Sequence, residues 1–538
     1  MVLLRTLILS SLEVYILIRL SSITSLISWK LPTVWYPIGV IILTLFQIVG
    51  YGVYCWLIYP NFASPLRGLP GPKAPSWWNG HGARADKERS GEQKRVWARQ
   101  LSINGLMRYK GILNAERLVP TDPRVIAEVL NKTYSFVKPS ILQLSLGRVL
   151  GNGIIMSEGD EHKYQRKTLV KAFTPRILRS FSTIFLDKSK DMVKFIAREI
   201  NQSGSDNPVI DINSWSSRCT LDIIGQTTAG INFNAMADPS NNLLEAYDKV
   251  FLLAPTKRKS WLNAVNMFAP LWIMKRLPSK TLKDITASSH LIQYFCDDVI
   301  RHKRVEAEKG IEKNIDMLSI IMAQNSLSDL ELRHQLMNLI AAGHETISAA
   351  VSWAAYELSR HPEIATRLRT AIREAIPSFE SVTAQAIENI PYLRSFCKEV
   401  LRLHPSIPVT IRESAIDETI NGQFIPKGTK IMLFFAFANL SEELWGSDSE
   451  EFNPDRWERS EGVNASKYAN LTFSMGPRTC LGQRFAMIEF KTIITCLAGM
   501  FAFEEETKDM VINIEGKITQ RPVRDGKLPL KTSVVPGW

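Results

Sequence analysis

A mainly α-helical fold with small β-sheets, preceded by an N-terminal transmembrane anchor, is predicted for this 538-residue chain on three observations. An uncharged apolar run lies close to the amino end. Long helical patterns dominate after Gly159. Strand signals come late, are short, and are punctuated by glycine turns. Composition narrows the class further: 45% hydrophobic and 22% charged residues exclude a disordered chain and a short secreted scaffold. The 65 basic against 53 acidic side chains, a net charge of +12, suit an anionic membrane face or an acidic protein partner. With no zinc knuckle or basic zipper in the sequence, no nucleic-acid partner is expected. None of the six cysteines forms a C-x-x-C pair, which argues against a disulfide framework and for a reducing compartment.

From the amino end, residues 1–33 form a hydrophobic segment in which Leu3 to Ile27 carries Arg5, Glu13 and Arg19, compatible with spanning a membrane, lying in its interface, or pairing with the next segment. Residues 34–59 contain no charge, and at about 1.5 Å per residue a helix of that length exceeds a hydrocarbon layer of about 30 Å. This run is expected to be a transmembrane helix, with Trp35, Tyr36, Tyr54, Trp56 and Tyr59 near its ends, where amphipathic rings favour the interface. Residues 60–80, rich in Pro and Gly, read as a stiff connector. Arg67, Lys73, Arg84, Lys87, Arg89, Lys94, Arg95 and Arg99 then place the long carboxyl part in the cytoplasm by the positive-inside rule. The sequons at Asn131 and Asn464 would there go unglycosylated.

In the body of the chain, Arg333 to Arg360 is apolar with few charges in its middle and is predicted as a long core helix ending at His361-Pro362. Asn421-Gly422 and Lys427-Gly428 punctuate a strand-rich stretch, and Asp525-Gly526 divides an expected terminal hairpin. Gln483 to Phe503 is amphipathic.

The chemistry gathers in Phe473-Ser-Met-Gly476-Pro-Arg478-Thr-Cys480-Leu-Gly482. Cys480 stands where a loop enters a helix, a position at which amide dipoles and the cation Arg478 would lower its pKa. Gly476 and Gly482 allow turns and the close approach of a flat ligand. On residues alone, a buried inert cysteine is the favoured reading, and the pattern as a whole reverses that preference.

As a whole the segment resembles the cysteine loop F-x-x-G-x-R-x-C-x-G of the cytochrome P-450 superfamily, the haem-thiolate monooxygenases, in their eukaryotic microsomal type. The resemblance implies that Cys480 is the axial ligand of a haem b iron, with Phe473, Gly476 and Gly482 shaping its loop and Arg478 pairing with a propionate. Further segments match in the family's order. Glu399-Val-Leu-Arg402 looks like E-x-x-R, a spacing that sets both charges on one helical face. Phe452-Asn-Pro-Asp-Arg456-Trp is similar to the segment that completes that pair. A structural Glu399, Arg402, Arg456 network is therefore expected beneath the haem. Ala342-Gly-His-Glu345-Thr346 is similar to the oxygen-binding A-G-x-[ED]-T, which makes Thr346 and Glu345 the catalytic candidates for passing protons to dioxygen.

Gly159 to Lys167 resembles the W-x-x-x-R helix, with His162 in place of the usual tryptophan and Arg166 matching as a propionate partner. Arg412 matches a third propionate position. Lys163, Lys167 and Lys171 offer a basic face for an acidic electron donor.

The resemblance spans nearly all of the chain beyond the connector, and one site built from distant segments implies one catalytic domain, residues 81–538. It implies a monooxygenase on the endoplasmic reticulum membrane that takes electrons from an NADPH-cytochrome reductase and inserts one atom of O2 into a lipophilic small molecule. Secondary metabolism, with a terpenoid or polyketide substrate, is the expected setting. A haem-thiolate isomerase or dehydratase and a non-catalytic membrane haem-binding protein are the rival readings.

Overall fold

The computed structural model describes residues 35–82, 91–251, 280–310, 315–459, 466–516 and 518–538. The expectations for residues 1–33, for Arg84, Lys87 and Arg89, and for Asn464 lie outside them. The chain forms two compact units, one running to Thr121 and including Ile416–Ile431, the other built from Asp122–Ala415 and Met432–Trp538.

In the first unit, helix α1 spans Trp35–Val53 and continues through π-helical turns over Tyr54–Ala63. Apolar side chains point outward along most of it: Ile42, Phe46 and Val49 are 62%, 74% and 62% exposed. Within it Val40–Ala63 is long and apolar enough to cross a membrane, with mean hydropathy 1.9. The helix ends at Ala63, where Ser64 turns extended and Pro65, with no N–H to donate, cannot continue the ladder. After one 3₁₀ turn, Pro65–Gly68, the connector runs extended. It lies against strand β1, Leu106–Lys110, where Arg108 N–H donates to Pro70 O at 2.9 Å, and a side chain on Gly71 would collide with Arg108 O. Strand β1 pairs antiparallel with β2, Glu116–Pro120. The expected turn at Asn421-Gly422 joins the antiparallel strands Glu418–Ile420 and Gln423–Ile425, both turn residues taking positive φ as a tight hairpin demands.

The second unit is helical around one long element. Helix α2 spans Gly159–Leu169, α3 Ile212–Ala229, α4 Asp329–Arg360, α5 Pro391–Leu403 and α6 Gln483–Met500. α4 starts four residues before the expected Arg333 because Ser328 and Glu331 close a capping box, Ser328 N–H donating to Glu331 Oε2 at 2.8 Å. It ends where expected, before Pro362. Its face toward α3 carries hydroxyls: Ser217 Oγ lies 3.0 Å from Ser348 Oγ, and Ser216 Oγ 3.1 Å from Ser352 Oγ, all buried. On α5 the apolar residues Leu393, Phe396, Cys397 and Val400 recur at helical spacing and are fully buried, which anchors the helix by hydrophobic burial and frees its other face for charge.

Strand β3, Val209–Asp211, β4, Phe501–Glu505, and β6, Pro529–Val534, form one antiparallel sheet with β6 in the middle. The Asp525-Gly526 turn does form, but the strands beside it separate. β5, Arg521–Val523, pairs with Asn513–Glu515, and β6 joins the other sheet, so only Arg524 and Lys527 bridge across the turn.

Candidate active site

The cysteine loop is folded by its own backbone. Cys480 N–H donates to Phe473 O at 2.9 Å, Thr479 N–H to Gly476 O at 3.0 Å, and Ser474 and Gly476 take φ of 60° and 70°. Gly476 is required twice over, since a Cβ there would also lie 2.5 Å from Asn131 Oδ1. Gly482 differs: its φ is ordinary and an added methyl would meet only Phe173, at 3.6 Å. Nothing in the protein's own packing demands glycine at that position. Phe473 packs half-buried against the core, and α6 starts directly after the loop.

Cys480 keeps accessible surface even though protein crowds it closely. Burial raises its thiol above the ordinary range, while the Gly482 N–H and the charge of Arg166 work in the opposite direction. The sequence points to Arg478 as the cation beside the sulfur; the fold gives that place to Arg166, whose Nη1 donates to Thr479 O at 2.8 Å. Arg478 turns instead to Ser157 O, at 2.7 Å, and to the Glu158 carboxylate.

Around these residues the fold gathers positive charge. Arg412 is 7% exposed and its guanidinium donates to Thr410 Oγ1 and Ile411 O at 2.8 and 2.9 Å. Lys138 Nζ, a residue the sequence reading did not single out, lies 2.9 Å from Glu158 Oε1. Burial and the charge of Arg478 push Lys138 down to about 8, with Glu158 offsetting part of this. Burial likewise brings Arg412 to about 10, Glu158 opposing and Arg478 adding to the shift. His162 is buried and held neutral, at about 3, by burial and then by Arg478, Lys138 and Arg166. Of these four cations, Lys138 and Arg478 pair with Glu158 and Arg412 feels its charge, while Arg166 lies toward Cys480. A haem carries two propionates, and a surplus of partly buried positive charge beside an accessible cysteine fits that group's anionic edge.

On α4, Ala342 is exposed and Gly343 and Thr346 are half-buried in a helix whose central residues are otherwise buried. Thr346 Oγ1 donates to Ala342 O at 2.7 Å, back onto its own helix, and Thr346 O accepts from Ser406 Oγ at 2.7 Å. Glu345 faces elsewhere. It is 1% exposed, and its Oε2 accepts from Arg521 Nη2 of β5 at 2.9 Å and from Thr519 Oγ1 at 3.0 Å. No hydrogen bond joins Glu345 to Thr346. The remaining oxygen, Oε1, has no hydrogen-bond partner among the described residues and lies 3.9 Å from Nδ1 of the fully buried His344. Asp248 is raised to about 7 by burial and by the charge of Glu345, against the opposing pull of Arg521. Sequence reasoning missed Arg521, Thr519 and Asp248, and no spacing rule reaches them.

Glu399, Arg402 and Arg456 come together with no exposed surface. Glu399 Oε1 accepts from Arg402 Nη2 at 2.8 Å, Arg456 Nε at 2.7 Å and Asn453 N–H at 3.0 Å; its Oε2 accepts from Arg402 Nε at 2.9 Å and Trp457 Nε1 at 3.0 Å. The arginines spend their other donors on carbonyls: Arg402 on Asn439 and Ser449, Arg456 on Trp445 and Asp448. Every charge in the network is compensated, as burial requires.

The family model described as Cytochrome P450 matches residues 70–526. The chain is 35% identical to cytochrome P450 monooxygenase sphH of Aspergillus fumigatus, covering 90% of this chain and 91% of that one. It is 33% identical to cytochrome P450 monooxygenase FSL4 of Gibberella zeae, over 91% and 92% of the two chains. With cytochrome P450 monooxygenase buaD of Petromyces alliaceus it shares 31% identity over 95% and 96%.

Proposed function

The chain belongs to the cytochrome P450 family, and from that membership we propose a membrane-anchored haem-thiolate monooxygenase that inserts one oxygen atom of O2 into a lipophilic organic substrate, a terpenoid or polyketide of secondary metabolism. It is an oxidoreductase of the monooxygenase class, with a haem-iron cofactor, a redox partner and a small-molecule substrate. The observation that carries the site assignment is the accessible thiol of Cys480 beside Arg166, with Lys138 and Arg478 sharing the one carboxylate of Glu158 nearby.

Haem b would be held through the Cys480 sulfur and, when bound, would supply the activation of dioxygen. The chain supplies the setting. Arg166 tethers the cysteine loop through Thr479 O and lends its charge to the thiolate. Arg166, Arg412, Arg478 and neutral His162 would receive the propionates, with Lys138 reinforcing the field. The Thr346 hydroxyl, on the accessible face of α4, holds and passes a proton by leaving its bond to Ala342 O. Glu345, tied to Arg521 and Thr519, governs proton supply from behind that face rather than through direct contact with Thr346. Phe473 and Gly476 shape the loop, Gly482 leaves room for a flat group beside it, and Glu399, Arg402 and Arg456 hold it structurally.

Electrons come from an NADPH-cytochrome reductase that docks on the exposed Lys163, Lys167 and Lys171. Residues 34–59 are the anchor, 60–80 the connector and 81–538 the catalytic domain, which faces the cytoplasm from the endoplasmic reticulum.

The test is the carbon monoxide difference spectrum of the reduced protein beside that of Cys480→Ser. A thiolate-type Soret band is expected in the native protein and its loss in the variant. Identical spectra would remove Cys480 as the ligand.

A further inference from the structure

The end of the apolar helix is not a free tether. Arg108 Nη2 donates to Pro60 O and Lys110 Nζ to Asn61 Oδ1, so β1 grips the helix's last turns. Asn114, fully buried, donates to Trp56 O at 3.2 Å and to Trp77 O at 2.8 Å, and Trp56 Nε1 donates to Trp78 O. Leu113 N–H closes the far side of that turn on Asn79 Oδ1 at 2.9 Å. The Trp77-Trp78 turn is thereby fixed to the helix terminus by bonds within one compact unit.

Yet both indoles keep much of their surface open: Trp77 is 72% exposed, and Trp78, edge-on to Trp56 at 6.4 Å, is 48% exposed. Leaving two tryptophans in water is costly, since each ring carries 150–250 Å² or so of mostly apolar surface. The cost is recovered where an apolar body and a polar N–H are both satisfied, in the headgroup layer of a bilayer. Arg67 and Lys73, both exposed within the same connector, add attraction to lipid phosphates.

We propose that Trp77 and Trp78 form an interfacial membrane anchor, seated in the lipid headgroup layer and rigidly coupled to the end of the spanning helix, so that the connector sets the depth of the first unit. This rests on the membrane anchoring read above, and the experiment separates the two.

Full-length holoenzyme carrying Cys55→Ala, with a nitroxide placed either at Phe46→Cys or at Trp77→Cys, is reconstituted into phosphatidylcholine vesicles. Relaxation by lipid-soluble oxygen is then compared with relaxation by a water-soluble nickel chelate. The label at 46 is expected deep in hydrocarbon, with oxygen dominant, and the label at 77 at intermediate depth, relaxed by both reagents. A label at 77 that behaves as in bulk water, or as deep as 46, overturns the interfacial anchor while leaving the span intact. An aqueous signal at 46 overturns the span itself.

Discussion

Glu399 shows at the scale of one residue how a buried charge is held. Its two oxygens receive five donors from α5 and from residues 453–457, and neither arginine has another carboxylate of comparable burial. Replacing it by Gln leaves Arg402 buried without a carboxylate and Arg456 with Asp448 alone. Glu399→Gln is expected to destabilise the folded protein by about 3–5 kcal/mol, measured by denaturant unfolding of the holoprotein. A loss below about 1 kcal/mol would mean the pair is weakly coupled to folding. Arg456→Lys is expected to cost nearly as much as Arg456→Ala, because lysine cannot reproduce the fork that reaches Glu399, Asp448 and Trp445 together.

Between elements, the C-terminal ends of α4 and α5 are locked by one carboxylate. Glu357 in the last turn of α4 accepts from His404 Nε2 at 2.6 Å and lies 3.2 Å from His361 Nε2, the two histidines being the C-caps of α5 and α4. His404 also stacks on Trp353 at 3.8 Å. Burial by itself would raise Glu357, but hydrogen bonds from both histidines overcome it and hold the group at about 2. The hydrogen bond to Glu357 raises His361 in turn, against the opposing effect of its own burial. A depressed carboxylate stabilises above its unfolded value of 4.5 and loses that contribution as pH falls through about 2. A raised histidine stabilises below its unfolded value of 6.5 and loses it as pH climbs past its folded value. The stability gap between the native protein and Glu357→Gln should therefore be widest between about pH 4.5 and about pH 6.5, near 3 kcal/mol or so. Thermal melts scanned across pH would refute this if the gap stayed flat.

For the whole molecule, the cationic cluster draws on Lys138, Arg166, Arg412 and Arg478, four segments far apart in the chain. Burial first and neighbouring cations second lower the pKa of Lys138, Arg412 and Arg478, so a dianionic cofactor would bind the folded state and add stability by linkage, about 4 kcal/mol at a thousandfold excess over Kd. Arg412→Gln should release haem to an apo-globin acceptor about tenfold faster and shrink the rise in Tm on cofactor loading, one charge-assisted bond being about 1.5–3 kcal/mol. An unchanged transfer rate would remove Arg412 from the propionate set.

The chain's own spacing disclosed whatever depends on neighbours along it. The uncharged run became α1, Gly476 took its left-handed turn, and Glu399 met Arg402 one helical turn away. Even the start of α4 was legible as Ser328-x-x-Glu331, a local signal that the apolar pattern, beginning later, obscured. Partners across the fold were not legible. Arg166 rather than Arg478 beside Cys480, and Arg521 on Glu345 at a separation of 176 residues, depend on which segments packing brings together. Electrostatic attraction depends on distance in space and not on position in the chain, so only the folded core decides which buried charge answers which.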